Sequence, residues 1–192
     1  MKFQFTAILS VLCVTYVFSQ PKGLELNAKA PDFSGVDQSK KNISLSKLLK
    51  KGKVILVFYR GEWCPFCNKE LKALEDSLSL ISSKGANVLA ITPEIVENVS
   101  KTVEKTKASY SILHDEGLKI MKAYDVAYAV DDKTIKAYQG YGIDFNKSNG
   151  SNGANLPVPA VYIINESGKI IYRYFDADFR KRPSVKELLS NL

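Results

Sequence analysis

The sequence has little of what metal centres are built from: a single histidine, His114, and three cysteines in 192 residues. A structural zinc site takes four such ligands, and one Cys-x-x-Cys with His114 falls short, so no metal is expected, and no cofactor. A long apolar run is also missing beyond residue 19, so no membrane-spanning helix is expected. There is no basic arm or stripe either. The 27 Lys and Arg exceed the 20 Asp and Glu to give +7, but they are scattered in ones, twos and threes. With no aromatic-basic motif or recognition helix, the charge reads as solubility, and no nucleic-acid partner is expected. What is present, 45% hydrophobic and 24% charged residues, is the balance of one globular domain with a core. That balance excludes disorder, collagen and coiled coil.

The first residues differ from the rest. Lys2 gives a positive start, the stretch from Phe5 to Phe18 is apolar apart from Thr6, Ser10 and Thr15, and Val17 and Ser19 stand where signal cleavage needs small residues. The expectation is a signal peptide over 1–19, a mature domain over 20–192, and an exported, periplasmic or extracellular protein. Cys13 follows bulky Leu12, where a lipoprotein signal wants a small residue, so acylation is not expected. Cleavage leaves Cys64 and Cys67 in an oxidising compartment.

Those two sit in Trp63-Cys64-Pro65-Phe66-Cys67, between a strand and a helix. Val54 to Tyr59 is a continuous apolar run of the kind a buried central strand carries. Downstream, Leu71, Leu74, Leu78 and Ile81 recur at helical spacing, and Pro65 suits the first helical position. Cys64 is then the N-cap, exposed at the tip, while Cys67 shares the core-facing side with Leu71 and Leu74. Unpaired N–H groups at the helix start favour a thiolate at Cys64. A second thiol one turn on displaces whatever the first has captured and leaves a disulfide within the motif. A purely structural disulfide across two residues would close too short a loop to stabilise much. His114, before Asp115-Glu116-Gly117, reads as a turn residue.

The remaining pattern is α/β. Ala86 to Thr92 is a second apolar strand, giving a parallel strand-helix-strand unit. Tyr110 to Leu113 is a short strand and Leu118 to Tyr124 a helical turn or two. Ala160 to Asn165 and Lys169 to Asp176 form an antiparallel hairpin around Glu166-Ser167-Gly168. Val185, Leu188, Leu189 and Leu192 mark a C-terminal amphipathic helix after Pro183-Ser184. Residues 131–157, rich in Gly, Asn and Ser, read as a loop-rich insertion, an active-site rim or a mobile loop.

Several segments together carry a family resemblance: Ala30-Pro31-Asp32-Phe33, Val57-Phe58-Tyr59, Trp63 through Leu71, Gly142-Ile143-Asp144, Leu156 through Asn165, and Asp176-Ala177-Asp178-Phe179. They resemble the AhpC/TSA, peroxiredoxin-like branch of the thioredoxin superfamily, in its subgroup with a Trp-Cys-Pro-aromatic-Cys motif. The resemblance implies a thioredoxin-like fold, a central mixed sheet between helices in three layers. It puts Pro159 at the position of a cis-proline facing the disulfide, with Val158 beside it. Trp63, Pro65, Phe66, Arg60, Val158 and Pro159 are the expected substrate-binding residues around the redox pair Cys64 and Cys67.

The departures matter as much. Aligned with peroxiredoxins, Cys67 falls on the peroxide-reacting cysteine, Cys64 on a threonine, Arg60 on a proline and Pro159 on the arginine that steadies the sulfur, so the peroxide-activating set is largely missing. The thioredoxin buried acid, six residues before the first cysteine, is here Phe58. The Pro65-Phe66 dipeptide resembles that of glutaredoxins, in which the first cysteine attacks. The leading expectation is an exported thiol-disulfide oxidoreductase with Cys64 attacking and Cys67 resolving, serving a thiol or disulfide electron-transfer partner protein. The alternative is a peroxiredoxin-like thiol peroxidase with an antioxidant role, acting on hydroperoxides. A redox-inert binding module on the same fold is the third.

Overall fold

The computed structural model describes residues 20–192. The proposed signal peptide and Cys13 lie outside the described residues. The strands are β1 (Ser34–Val36), β2 (Asn42–Ser44), β3 (Lys53–Phe58), β4 (Ala86–Thr92), β5 (Ser111–His114), β6 (Ala127–Ala129), β7 (Asn155–Pro157), β8 (Ala160–Ile164) and β9 (Ile170–Phe175). The helices are α1 (Leu45–Leu49), α2 (Pro65–Asp76), α3 (Leu78–Ser83), α4 (Val96–Thr106), α5 (Lys119–Ala123), α6 (Asp132–Gly140), α7 (Phe145–Asn149) and α8 (Val185–Ser190).

A five-stranded mixed sheet in the order β5-β4-β3-β8-β9 forms the centre. Strands β3, β4 and β5 run parallel, and β8 and β9 close the other side antiparallel, as the apolar runs and the Ser167-Gly168 turn predict. Alternation along β3 splits its side chains between two layers. Ile55 and Val57 pack with Leu71 and Leu74 of α2, Val99 of α4 and Leu188 of α8. Val54, Leu56 and Phe58 pack with Leu45 and Leu49 of α1 and Ile120 and Met121 of α5. Helices therefore cover both faces of the sheet, and β3 is buried on both, which is why its sequence runs apolar without a break. Among the described residues no helix is long and apolar enough to cross a membrane.

Three sequence expectations change. The single helix implied by Leu71 to Ile81 breaks at Ser77, whose N–H donates to Leu74 O at 3.2 Å, a tightened last turn, before α3 resumes with Ile81 N–H on Ser77 O. The 131–157 stretch is not a loop: it holds α6, α7 and β7. Asp131 and Asp144 cap the two helices through their side chains, which explains how a Gly, Asn and Ser-rich segment becomes ordered. Val158-Pro159 is trans, since no peptide bond among the described residues is cis. A trans bond carries the chain from β7 into β8 while Val158 N–H donates to Val126 O at 2.8 Å, and trans is the preferred isomer by about 0.5–1 kcal/mol at X-Pro bonds.

Candidate active site

The chain leaves β3 at Phe58, turns through Tyr59-Arg60-Gly61-Glu62-Trp63, and enters α2 with Cys64 as N-cap and Pro65 in the first turn. Proline has no N–H to lose there and its φ suits the helix. The Cys64 sulfur accepts the Cys67 N–H at 3.3 Å, the part an N-cap side chain plays. Both sulfurs are free thiols.

The expected contrast in exposure is not found. Cys64 is 1% exposed and Cys67 is fully buried. The reason is tertiary: Trp63 and Phe66 from the cysteine segment, Tyr138 from α6 and Phe179 from the C-terminal segment stand around Cys64 and make it the floor of a cleft of about 690 Å³. Trp63, Tyr138 and Phe145 pack edge to face with ring centroids 5.3–6.0 Å apart, and Phe66 meets Phe179 at 6.0 Å. The 131–157 stretch thus does form part of the rim.

Of the residues the sequence singles out, Arg60, Trp63, Cys64, Pro65 and Phe66 come together at this cleft. Val158 and Pro159 do not line it. Both are buried, and the Pro159 carbonyl accepts only the long 3.5 Å bond from Asp176 N–H. With β8 paired to β3 through Ala160 and Phe58, Pro159 stands at the same end of the sheet as the cysteines, but its backbone goes into joining β7 to β8.

The two thiols differ in acidity. Cys64 is lowered to about 7 by its hydrogen bonds with the Cys67 thiol and N–H, which outweigh burial, and by the positive charges of Arg60 and Arg182. Cys67 is pushed well up, first by burial and then by Cys64. Cys67 nonetheless has a cation beside it. Arg182 Nη2 donates to the Cys67 sulfur at 3.2 Å, while its Nε donates to Glu70 Oε2 at 2.6 Å. Arg182 lies 23 residues beyond Pro159 in the sequence (182 − 159). Burial raises the Glu70 carboxyl, to about 8, and Arg182 holds it back against a larger rise.

A second buried acid, Glu94, follows β4. Its Oε2 accepts the Glu62 N–H at 2.8 Å and its Oε1 accepts the Ser148 hydroxyl at 3.1 Å; Ser148 Oγ in turn accepts from Trp63 Nε1 at 3.2 Å. Burial raises this carboxyl to about 8, against those hydrogen bonds. The clamp explains Gly61: a Cβ there would lie 2.5 Å from Trp63 Nε1 and 2.8 Å from Glu94 Oε1. His114 ends β5 with Nδ1 at 2.6 Å from Glu94 O, away from the sulfurs' own contacts. Sequence reasoning missed Glu70, Glu94, Tyr138, Ser148, Phe179 and Arg182. Glu94 left a signal as an acid just past the C-terminal end of a buried parallel strand, where ligand sites of open α/β sheets gather, and Glu70 and Phe179 stand in segments that carry the family resemblance.

Chloroplastic peroxiredoxin Q of Suaeda salsa is 37% identical over 97 residues, 50% of this chain and 44% of that protein. The thiol-disulfide oxidoreductase ResA of Bacillus cereus is 23% identical over 155 residues, 80% of this chain and 72% of that one. The chain spans about half the length of the peroxiredoxin Q relatives it matches. Among solved structures, peroxidoxin BcpB from Mycobacterium tuberculosis superposes with a TM-score of 0.65 at 20% identity, over 90% of this chain and 96% of that one. A putative protein disulfide isomerase from Bacteroides thetaiotaomicron gives 0.63 at 20% identity, over 90% and 91%. These likenesses establish the thioredoxin-like fold, and the match to the AhpC/TSA family over residues 26–173 shows that the chain belongs to that family.

Proposed function

We propose that the chain is a thiol-disulfide oxidoreductase in which Cys64 attacks and Cys67 resolves. The observation that carries this reading is the asymmetry of the pair: the acidic thiol, at about 7, is the one that floors the open cleft, and the buried thiol behind it is the less acidic. The Cys64 thiolate attacks one sulfur of a substrate disulfide, forming a mixed disulfide and releasing the other half as a thiolate that takes a proton from solvent. Cys67 then loses its proton and attacks the Cys64 sulfur, releasing the second half as a thiol and leaving a Cys64–Cys67 disulfide. The substrate gains two electrons and the dithiol loses them. A thiol or disulfide electron-transfer partner protein returns the pair to its starting state.

One contact favours a second reading, a thiol peroxidase centred on Cys67. The Arg182 guanidinium, 3.2 Å from that sulfur, stabilises a thiolate there. Such a thiolate would cleave a hydroperoxide O–O bond, leaving a sulfenic acid and an alcohol or water, and Cys64 would then condense with it to the disulfide and release water. The relatives' names, peroxiredoxin and thiol-disulfide oxidoreductase, fall on both sides of this choice.

Trapping separates the two. Cys67→Ser should accumulate a mixed disulfide at Cys64, and iodoacetamide should alkylate Cys64 with a rate half-maximal near pH 7, since the thiolate fraction grows as pH rises through about 7. Rapid sulfenic acid formation at Cys67 of Cys64→Ser with hydrogen peroxide, with no mixed disulfide in Cys67→Ser, reverses the assignment. The same reading includes export: residues 1–19 act as a signal peptide and the mature protein works in a periplasmic or extracellular space. Lys2 and the apolar run support this. Intact mass of the protein recovered outside the cytoplasm, starting at Gln20, tests it; a cytoplasmic protein retaining Met1 overturns it.

A further inference from the structure

Arg60 is a buried cation without a carboxylate partner, its charge acting on the Cys64 thiol. It is 2% exposed, and among the described residues no carboxylate forms an ion pair with it. The nearest acid in the chain, Glu62, pairs with Lys105, and Glu94 takes the Glu62 N–H and the Ser148 hydroxyl. Three rings surround the Arg60 guanidinium instead, with centroids at 4.2 Å for Phe179, 5.0 Å for Trp63 and 5.4 Å for Tyr138. The rings offset part of the cost of taking the charge out of water. They offer little in the guanidinium plane: among the described residues the Tyr138 hydroxyl accepts from Nη2, and Nε is buried without an acceptor. The guanidinium therefore keeps hydrogen-bonding capacity that the described residues do not fill, and a carboxylate oxygen is the strongest acceptor for it.

Arg60 lines the same cleft as Cys64. The volume, about 690 Å³, suits a small ligand, and the walls around Arg60 are otherwise mostly aromatic, continuing outward to Tyr141, which is 82% exposed. We propose that the cleft binds an apolar monocarboxylate of the fatty-acid type, with its carboxylate on Arg60 and its hydrocarbon body against Trp63, Phe66 and Phe179. That such a ligand brings a reactive sulfur or oxygen to Cys64 rests on the function proposed above; the binding itself does not.

Trp63 is the one tryptophan of the chain and sits in the cleft wall, so its fluorescence reports occupancy without any turnover. The experiment titrates the reduced protein with decanoate, decanol and decylammonium at fixed ionic strength, below micelle formation. The expected order is decanoate at least about tenfold tighter than decanol, with decylammonium weakest. Arg60→Gln should remove the preference while keeping decanol affinity. If that variant fails to fold, the wild-type series alone decides. Equal affinity for decanoate and decanol overturns carboxylate recognition, and no fluorescence response to any of them overturns the cleft as a binding site. A decanoate preference without disulfide exchange at Cys64 sinks the proposed function and leaves this inference standing; exchange without the preference does the reverse.

Discussion

Cys64 and Cys67 lie within one turn of α2, and each has an arginine at hand, Arg60 on one side and Arg182 on the other. The two cations are kept in opposite ways. Arg182 sits against Glu70, whose carboxyl burial raises to about 8, and although Arg182 favours a Cys67 thiolate, burial and the neighbouring Cys64 outweigh it. Arg60 has rings for neighbours, which leave its charge intact, and it acts on Cys64 together with the helix-cap hydrogen bonds. The comparison teaches that burial and the hydrogen bonds each sulfur accepts, more than the cation beside it, set which of two neighbouring thiols ionises first.

The largest way to break this contrast is Arg182→Met. It strands Glu70, whose side chain is 5% exposed, as an unpaired buried acid. A loss of about 3–5 kcal/mol in denaturant unfolding is expected above pH 8, where Glu70 is ionised, with a smaller loss at neutral pH where it holds its proton, and Glu70→Leu added to it should recover most of that. An unchanged midpoint in the single variant would show that the pair is not a unit.

Glu94→Gln is expected to act less and with a sign set by pH. The folded protein holds a proton on Glu94 up to about 8, well above the ordinary carboxyl range, so its contribution is present in acid and is lost as pH rises toward about 8. The amide has no proton to lose, so Glu94→Gln should match the wild type near pH 5 and exceed it above pH 8 by roughly 1–3 kcal/mol. A gain equal at both pH values would place the effect outside this titration. Ser148→Ala is the smallest, about 1 kcal/mol for the neutral hydrogen bonds it joins. Its sharper readout is a shift in Trp63 emission, because Nε1 loses its acceptor.

How far the sequence was legible depends on how local each feature is. The β3 and β4 runs, the β8–β9 hairpin and the Cys64 cap with Pro65 are written in consecutive residues, and the structure has them nearly where their patterns lie. Helix α4 escaped because its buried positions, Asn98, Val99, Thr102 and Thr106, are mostly polar and blur the 3.6-residue period. Helix α6 has no fully buried residue and only a short apolar face, Ile135 and Tyr138, too brief to stand out as a period, yet it delivers Tyr138 to the cleft. The burial of Cys64 could not be read from α2 alone, since it depends on Tyr138 and Phe179, far along the chain. Arg182 meets Glu70 across 112 residues, and no spacing rule reaches that distance.

The fastening of the chain behind the cleft's α6 wall bears on time as well as shape. Asn152 Nδ2 donates to Pro93 O at 2.8 Å and Asp115 O at 3.0 Å, Ile95 N–H donates to Ser148 O at 3.0 Å, and Asn98 Nδ2 adds a bond to the same carbonyl at 3.1 Å. The segment following α7 is thereby stitched to the ends of β4 and β5 instead of hanging over the sulfurs as a flap. The exposed rings of Phe66, Tyr141 and Phe179 at the mouth change rotamer on the picosecond-to-nanosecond clock of exposed side chains, so they are no slow barrier on the way to Cys64.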